Sequence, residues 1–225
     1  MKHLCGLLLM MFMPAALLAG DRVLVGDFSH GDLSGWEEKS FKGNTQYDFV
    51  LAETVEGLTS QPETKSAKVL RAITHGQASG LFKEMPIDLS KTPILSWSWQ
   101  VKNLFKGNDE HSKEGDDYPA RIYVVVSGGI FFWNTKAINY VWSSNQAVGS
   151  EWPNAYTDHA RMIAVQAGGE HVGEWMTQRR NVRDDLKRLF GEDLNQIDAV
   201  AVMVDGDNTG QSATAYFGDI VFSEK

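Results

Sequence analysis

Cysteine is almost absent from this 225-residue chain: the one thiol is Cys5. A chain that loses its first 19 residues therefore keeps no disulfide, no thiolate ligand and no cysteine nucleophile. Cys5 also lies ahead of most of the nearby apolar run, too early to become the lipid-modified first residue of a lipoprotein. Basic runs are missing as well. Lys and Arg number 21 against 29 Asp and Glu, a net charge of −8. No basic stripe matches a phosphate backbone, which argues against nucleic acid and anionic lipid as partners. Long apolar runs are scarce: the segment Leu4–Met13 is short of the roughly 20 residues a bilayer needs, and no later stretch rivals it. Enzyme signatures are missing too. Ser127 sits in Val-Val-Ser-Gly-Gly, with no Gly-x-Ser-x-Gly elbow. Glu170, His171 and Glu174 lack the second histidine of a His-Glu-x-x-His zinc site. No glycine loop is built to cradle phosphate, and no strand carries the closely alternating carboxylates of a β-sandwich glycosidase.

The start of the chain is patterned. Lys2 and His3 precede the apolar run, then come Pro14 and small residues ending at Ala19–Gly20. Charged start, apolar middle and small-residue exit are the parts of a secretory signal peptide, assigned here to residues 1–19. This predicts a periplasmic or secreted protein with no membrane span after cleavage, its residues 20–225 forming one domain. Losing Lys2 leaves 20 basic residues against 29 acidic, or −9. Cations and neutral ligands such as sugars stay open as partners.

Short strand-like segments then recur between glycine-based turns: Val23–Asp27, Thr45–Val55, Val69–Thr74, Leu81–Ile87, Ile94–Val101, Ala120–Val126, Ala137–Trp142, Arg161–Val165, Ala199–Val204 and Thr214–Phe222. This spacing predicts an all-β, predominantly antiparallel sandwich rather than a parallel α/β sheet. One short helix is expected at Asn181–Phe190, capped by Asn181, ended by Gly191 and packed across one edge of the sandwich. Lys102–Tyr118 is charged and poor in apolar residues, and reads as a long solvated loop. Trp97 and Trp99 share a strand face with Leu95 and Val101, which predicts core packing rather than a sugar-stacking platform. The run Ile130–Trp133 reads as the return arm of a hairpin.

Acidic clusters carry the functional argument. One is Gly115–Asp116–Asp117, shortly before Arg121; the other is Asp205–Gly206–Asp207–Asn208–Thr209–Gly210, at the end of a valine-rich strand. Alternating oxygen donors with a following glycine can wrap a calcium ion. An EF-hand is excluded, because its twelfth position is Tyr216. The competing reading is an Asx-type turn, its carboxylates bonded to backbone N–H groups and paired with Arg121. The two loops are expected to converge beside Arg121, since grouped carboxylates need a compensating charge. Asp27 and Asp219 form a further candidate calcium pair if the first and last strands are neighbours. The expected ligand-binding residues are thus Asp116, Asp117, Arg121, Asp205, Asp207, Asn208 and Thr209, with Asp205, Asp207, Asp27 and Asp219 as metal candidates.

These motifs together form a resemblance. Gly35–Trp36, Leu95–Ser96–Trp97–Ser98–Trp99, the Gly115–Asp117 cluster with Ala120–Arg121, Tyr140–Val141–Trp142–Ser143–Ser144, Arg179–Arg180–Asn181–Val182 with Asp185, Asp205–Gly210 and Ala215–Ile220 resemble the bacterial exported proteins of domain of unknown function family 3047. That resemblance supplies positions and no mechanism. Asp27–Phe28 with Gly35–Trp36, and Phe217–Ile220, are more loosely similar to galactose-binding-like jelly rolls, which include many carbohydrate-binding modules; this is fold-level analogy. The expected function is a non-catalytic binding protein for a saccharide or envelope component. The alternatives are a cation-dependent hydrolase or lyase of an envelope polymer, and a structural or interaction protein of the envelope.

Overall fold

A computed structural model describes residues 20–58, 67–129 and 134–224. The expected signal peptide and the Ile130–Trp133 arm lie outside the described residues. Among the described residues, fourteen strands make two seven-stranded sheets, accompanied by one α-helix. The first sheet runs β1 (Arg22–Gly26), β14 (Ile220–Ser223), β6 (Ile94–Val101), β13 (Ser212–Phe217), β4 (Lys68–His75) and β3 (Gln46–Leu51), with β11 (Met176–Asn181) also paired to β6. The second runs β2 (Trp36–Lys42), β5 (Ala78–Asp88), β12 (Gln196–Asp205), β7 (Ala120–Val126), β8 (Lys136–Ser143), β10 (Thr157–Ala167) and β9 (Glu151–Asn154). Among the described pairs only β8–β10 is parallel. The antiparallel sandwich with one helix is therefore the fold.

Period-two alternation places its core. Leu95, Trp97, Trp99 and Val101 of β6 all face inward and are buried. From the second sheet Tyr140 and Trp142 of β8 meet them, with ring centroids 5.4 Å apart for Trp97–Tyr140 and 6.0 Å for Trp99–Trp142. The indole Nε1 atoms of Trp97 and Trp99 find no acceptor, so packing alone holds these rings. Truncating either to alanine would cost about 3–5 kcal/mol. Core packing is thus their role, and they offer no sugar platform.

The helix α1 (Val182–Phe190) starts where its cap predicts: the Asn181 side chain accepts from the Asp184 N–H, and Gly191 takes the left-handed conformation after it, φ 73°. Val182 and Leu186 enter the main core. Asp185 is buried and accepts from Tyr140 Oη at 2.8 Å and from Arg180 Nε at 2.9 Å. The helix is thereby locked to the second sheet.

Three expectations are corrected. Thr214–Phe222 is two strands, broken at Gly218–Asp219 so that β13 and β14 pair different stretches of β6. Thr45–Val55 is strand only to Leu51 and then turns through a 3-10 helix at Ala52–Thr54. Lys102–Tyr118 is not a solvated loop: Phe105, Glu110, Asp116, Asp117 and Tyr118 are buried. Strands β2, β9 and β11 are additional to those read from the sequence.

Candidate functional site

The outer face of the second sheet carries the site. Its strands are in register, so one row crosses it as Glu37, Phe82, Ala201, Tyr123, Asn139, Met162 and Trp152. The next row holds Lys39, Gly80, Met203, Arg121, Val141 and Ala164. The Lys102–Tyr118 segment folds over one side of this face. That segment is held down by Glu110. Its carbonyl accepts from Tyr118 Oη at 3.2 Å and Trp152 Nε1 at 3.3 Å, while its carboxylate accepts from the Ser144 N–H at 2.7 Å and from Ser143 Oγ. Burial pushes the Glu110 carboxyl up, against the pull of these donors. Tyr118, Val141, Trp152, Met162 and Ala164 form a second apolar cluster beneath the segment.

The two acidic loops meet beside Arg121. The Asp117 carboxylate accepts from the backbone N–H of Asn208 at 3.2 Å and of Thr209 at 2.6 Å. Arg121 Nε donates to Asp205 Oδ1 at 2.8 Å, and its Nη2 pairs with Asp205 Oδ2. The same Nη2 donates to the Asp116 carbonyl at 3.1 Å, and Nη1 lies 3.9 Å from Asp116 Oδ2. The rings of Tyr118 and Tyr123 lie against the guanidinium, their centroids 4.7 and 5.6 Å from Cζ. The competing turn reading thus accounts for much of the polar pattern: Asp117 braces the backbone of the other loop and Asp205 neutralises Arg121. Asp116 Oδ2 accepts from Asn154 Nδ2 at 3.0 Å. Burial raises the Asp116 carboxyl in spite of Arg121. The Asp207 carboxyl is also raised, by burial and then by Asp117.

Gly115 and Gly206 in these loops are sterically required. A Cβ on Gly115 would lie 2.3 Å from the Asp109 carbonyl oxygen, and one on Gly206 would lie 2.2 Å from that of Gln211. Only a residue without a side chain lets each loop close so tightly.

Next to this knot a pocket of about 370 Å³ opens on the sheet face. Asp116, Arg121, Asp205, Asp207 and Asn208 line it together with Phe41, Tyr123, Asn139, Asn154 and Tyr156. Asp117 and Thr209 stand behind the lining and hold the loop. Phe41 and Tyr156 are 64% and 56% exposed, so their rings face solvent at the pocket mouth. Tyr156 Oη accepts from Asn208 Nδ2 at 2.8 Å and donates to the Lys113 carbonyl at 3.2 Å, tying the rim to both loops.

The carboxylates of Asp117, Asp205 and Asp207 each offer an oxygen within 4.8 Å of the others, a spacing a cation could share. Asp27 and Asp219 lie elsewhere, at the paired strands β1 and β14. The Phe28–His30 turn gives each a partner: Asp219 accepts from the Ser29 N–H at 2.7 Å, and Asp27 Oδ1 is 2.5 Å from His30 Nδ1.

Sequence reasoning missed Phe41, Tyr123, Asn139, Asn154 and Tyr156. Tyr123 was reachable, since alternation along β7 puts it on the face of Arg121. Asn139 was likewise reachable as the one polar residue between inward Ile138 and Tyr140. Phe41 lies on an unanticipated strand, and the pair Asn154 and Tyr156 on a turn with no distinguishing pattern.

The sequence profile of the family described as "Protein of unknown function (DUF3047)" matches residues 34–221, and the chain belongs to that family. No curated protein matches it. Among solved structures it is similar to the family 11 carbohydrate-binding module of the cellulosomal cellulase Lic26A-Cel5E of Clostridium thermocellum, at 15% identity and TM-score 0.45, over 91% of this chain and 95% of that one. It is similar at 14% identity and TM-score 0.41 to the CBM22-1 xylan-binding domain of Xyn10C from Paenibacillus barcinonensis, over 92% and 97%. The K1 adhesin domain of Lys-gingipain from Porphyromonas gingivalis matches at 12% identity and TM-score 0.43, over 92% and 99%.

Proposed function

We propose that this protein is an exported, non-catalytic saccharide-binding module whose ligand occupies the pocket on the second sheet. The observation that carries the proposal is the pairing of solvent-facing rings, Phe41 and Tyr156, with fixed polar groups, Asp116, Asn154, Asp207 and Asn208, in one depression. Sugars present apolar C–H faces edged by hydroxyls. Aromatic rings cover the former and carboxylate or amide groups bond the latter, and about 370 Å³ lies within the usual range of small-ligand pockets. The site is also pre-organised, since Arg121, Asp205 and Asp117 fix both loops before a ligand arrives.

Titration calorimetry against soluble neutral and amino-substituted oligosaccharides tests this. Phe41→Ala should weaken binding about tenfold, roughly 1.4 kcal/mol, with little change in Tm because its ring is 64% exposed. Unchanged affinity in both Tyr156→Ala and Phe41→Ala would refute the pocket as the site. Export is tested by fractionation: a chain beginning near Gly20 in the periplasm is expected, and the uncleaved chain in membranes would count against it.

A second reading, a calcium-dependent hydrolase or lyase, is favoured by the Asp117–Asp205–Asp207 grouping. Against it, Asp117 and Asp205 already accept hydrogen bonds through both oxygens. A calcium-dependent rise in Tm with release of new chain ends from a polymer would favour this reading over the binding module.

A further inference from the structure

We propose that the site receives an extended, uncharged saccharide chain lying across the strands, with Phe82 as a further contact beyond the pocket. This rests on the saccharide reading above and adds the length and charge of the ligand. All seven strands of the second sheet contribute to the pocket lining, from Phe41 on β2 to Asn154 on β9. Long side chains can reach in from outer strands, but Ala78 of β5 and Ala160 of β10 carry one methyl each. The depression itself therefore crosses β5, β12, β7, β8 and β10. Neighbouring strands lie about 4.8 Å apart, so it is a trench roughly 20 Å long. One sugar ring fills a small part of that length.

An independent observation lies along the trench wall, where Phe41, Phe82 and Tyr123 form an aromatic strip. Ring centroids are 6.3 Å apart for Phe41–Phe82 and 6.2 Å for Phe82–Tyr123. Phe41 and Tyr123 belong to the pocket lining and Phe82 does not, so the strip carries apolar surface past the pocket. The Phe82 ring lies down along its own strand: a Cβ on Gly80 would sit 2.8 Å from Phe82 Cε2. Ala201, the cross-strand partner of both Phe82 and Tyr123, is fully buried although it faces away from the core. The rings cover the sheet there and turn their own surfaces to water. Phe82 and Tyr123 are half-buried, Phe41 is exposed, and among the described residues none of the three joins an apolar cluster. Contiguous aromatic surface left open in this way marks a binding face, and sugar C–H faces stack on it. Lys39 Nζ rests 5.1 Å from the Phe82 centroid, on an exposed side chain that a ligand displaces at little cost. Charge favours no ion. Asp116, Asp205 and Asp207 are matched around the site by Arg121, Lys42 and Lys113, so a neutral chain suits it best.

The test is titration calorimetry of the full chain with β-1,4-linked glucose and xylose oligomers of one to six units. Galacturonate and glucosamine hexamers serve as charged counterparts. The expected result, in at least one neutral series, is binding of four units about tenfold tighter than of one. Phe82→Leu should weaken the six-unit oligomer about fivefold with little change in Tm, since leucine still covers Gly80. A lowered Tm with unchanged affinity would show that Phe82 only covers the sheet, and would overturn its place in the site. Equal affinity for one and four units, or tighter binding of a charged hexamer than of both neutral ones, overturns the inference and leaves the saccharide reading standing. No binding of any oligomer overturns the inference and the saccharide reading together.

Discussion

Arg121 is the residue on which the acidic knot depends, and Arg121→Met tests that dependence quantitatively. The residue is 3% exposed, pairs with Asp205 through two nitrogens, bonds the Asp116 carbonyl and lies against the rings of Tyr118 and Tyr123. Methionine has similar length and keeps the apolar contact with the rings, so the change isolates the charge. Removing one partner of a buried ion pair leaves the other uncompensated, at about 3–5 kcal/mol. For a chain of this size each kcal/mol moves Tm by about 2–4 °C. The expected fall in a thermal melt at pH 7 is therefore about 6–20 °C. The companion variant Arg121→Met/Asp205→Leu should recover most of it, because an apolar pair often replaces a buried ion pair without loss. A residue of about 1 kcal/mol would remain, for the donor lost from the Asp116 carbonyl. The two changes should thus be strongly non-additive in a double-mutant cycle. A single-variant loss below about 1 kcal/mol, or simple additivity of the two changes, would refute the claim that Arg121 neutralises a buried carboxylate.

Glu110→Gln should flatten part of the pH dependence of stability. Burial raises the Glu110 carboxyl, so the folded state binds its proton more tightly than the unfolded chain; stability is full below the unfolded value and falls as pH rises to the folded value. The wild type should therefore lose more Tm than Glu110→Gln between pH 4 and 7, and parallel curves would contradict the assignment. Gly206→Ala should lower Tm, costing about 1–3 kcal/mol or more as the Cβ drives the turn away from the Gln211 carbonyl oxygen; a melt matching the wild type would show that the loop yields freely. Asp185→Ala should cost about 1–3 kcal/mol, chiefly because the buried Tyr140 Oη loses its acceptor, while the partly exposed guanidiniums of Arg180 and Arg188 turn to water. A chemical-denaturation midpoint unchanged from wild type would show that the helix is not anchored there.

The strands most legible in the sequence are those buried on at least one face. β6 and β7 were bounded at Ile94–Val101 and Ala120–Val126 because alternation is strongest where one side is dry. β2 escaped for the converse reason. Trp36 is its one buried residue, and Glu37 to Lys42 are exposed on an edge strand, where hydrogen bonding to β5 fixes the conformation instead of burial. β11 escaped similarly: Met176–Asn181 carries two arginines and is held by its ladder to β6. The break at Gly218–Asp219 was hidden by apolar residues on both sides of it. Composition could not show that one pairing partner changes stretch along β6, which is a property of the assembled sheet.

The site shows a different limit. Both acidic loops could be singled out because Asp, Asn and Gly cluster where a strand gives way to a turn, and Gly115 and Gly206 prove to be there for close backbone approach. What charge counting could not supply was the partition of labour among the carboxylates. Asp117 and Asp205 face donors inside the protein, Asp116 is shared between Asn154 and Arg121, and Asp207 faces the pocket. Only the first three assignments serve the fold. A purely structural knot would have no use for the fourth, because each of its turns is already satisfied without that carboxylate. The half-buried Asp207, on the pocket wall with the exposed rings of Phe41 and Tyr156, is therefore the carboxylate that the proposed saccharide site has to itself.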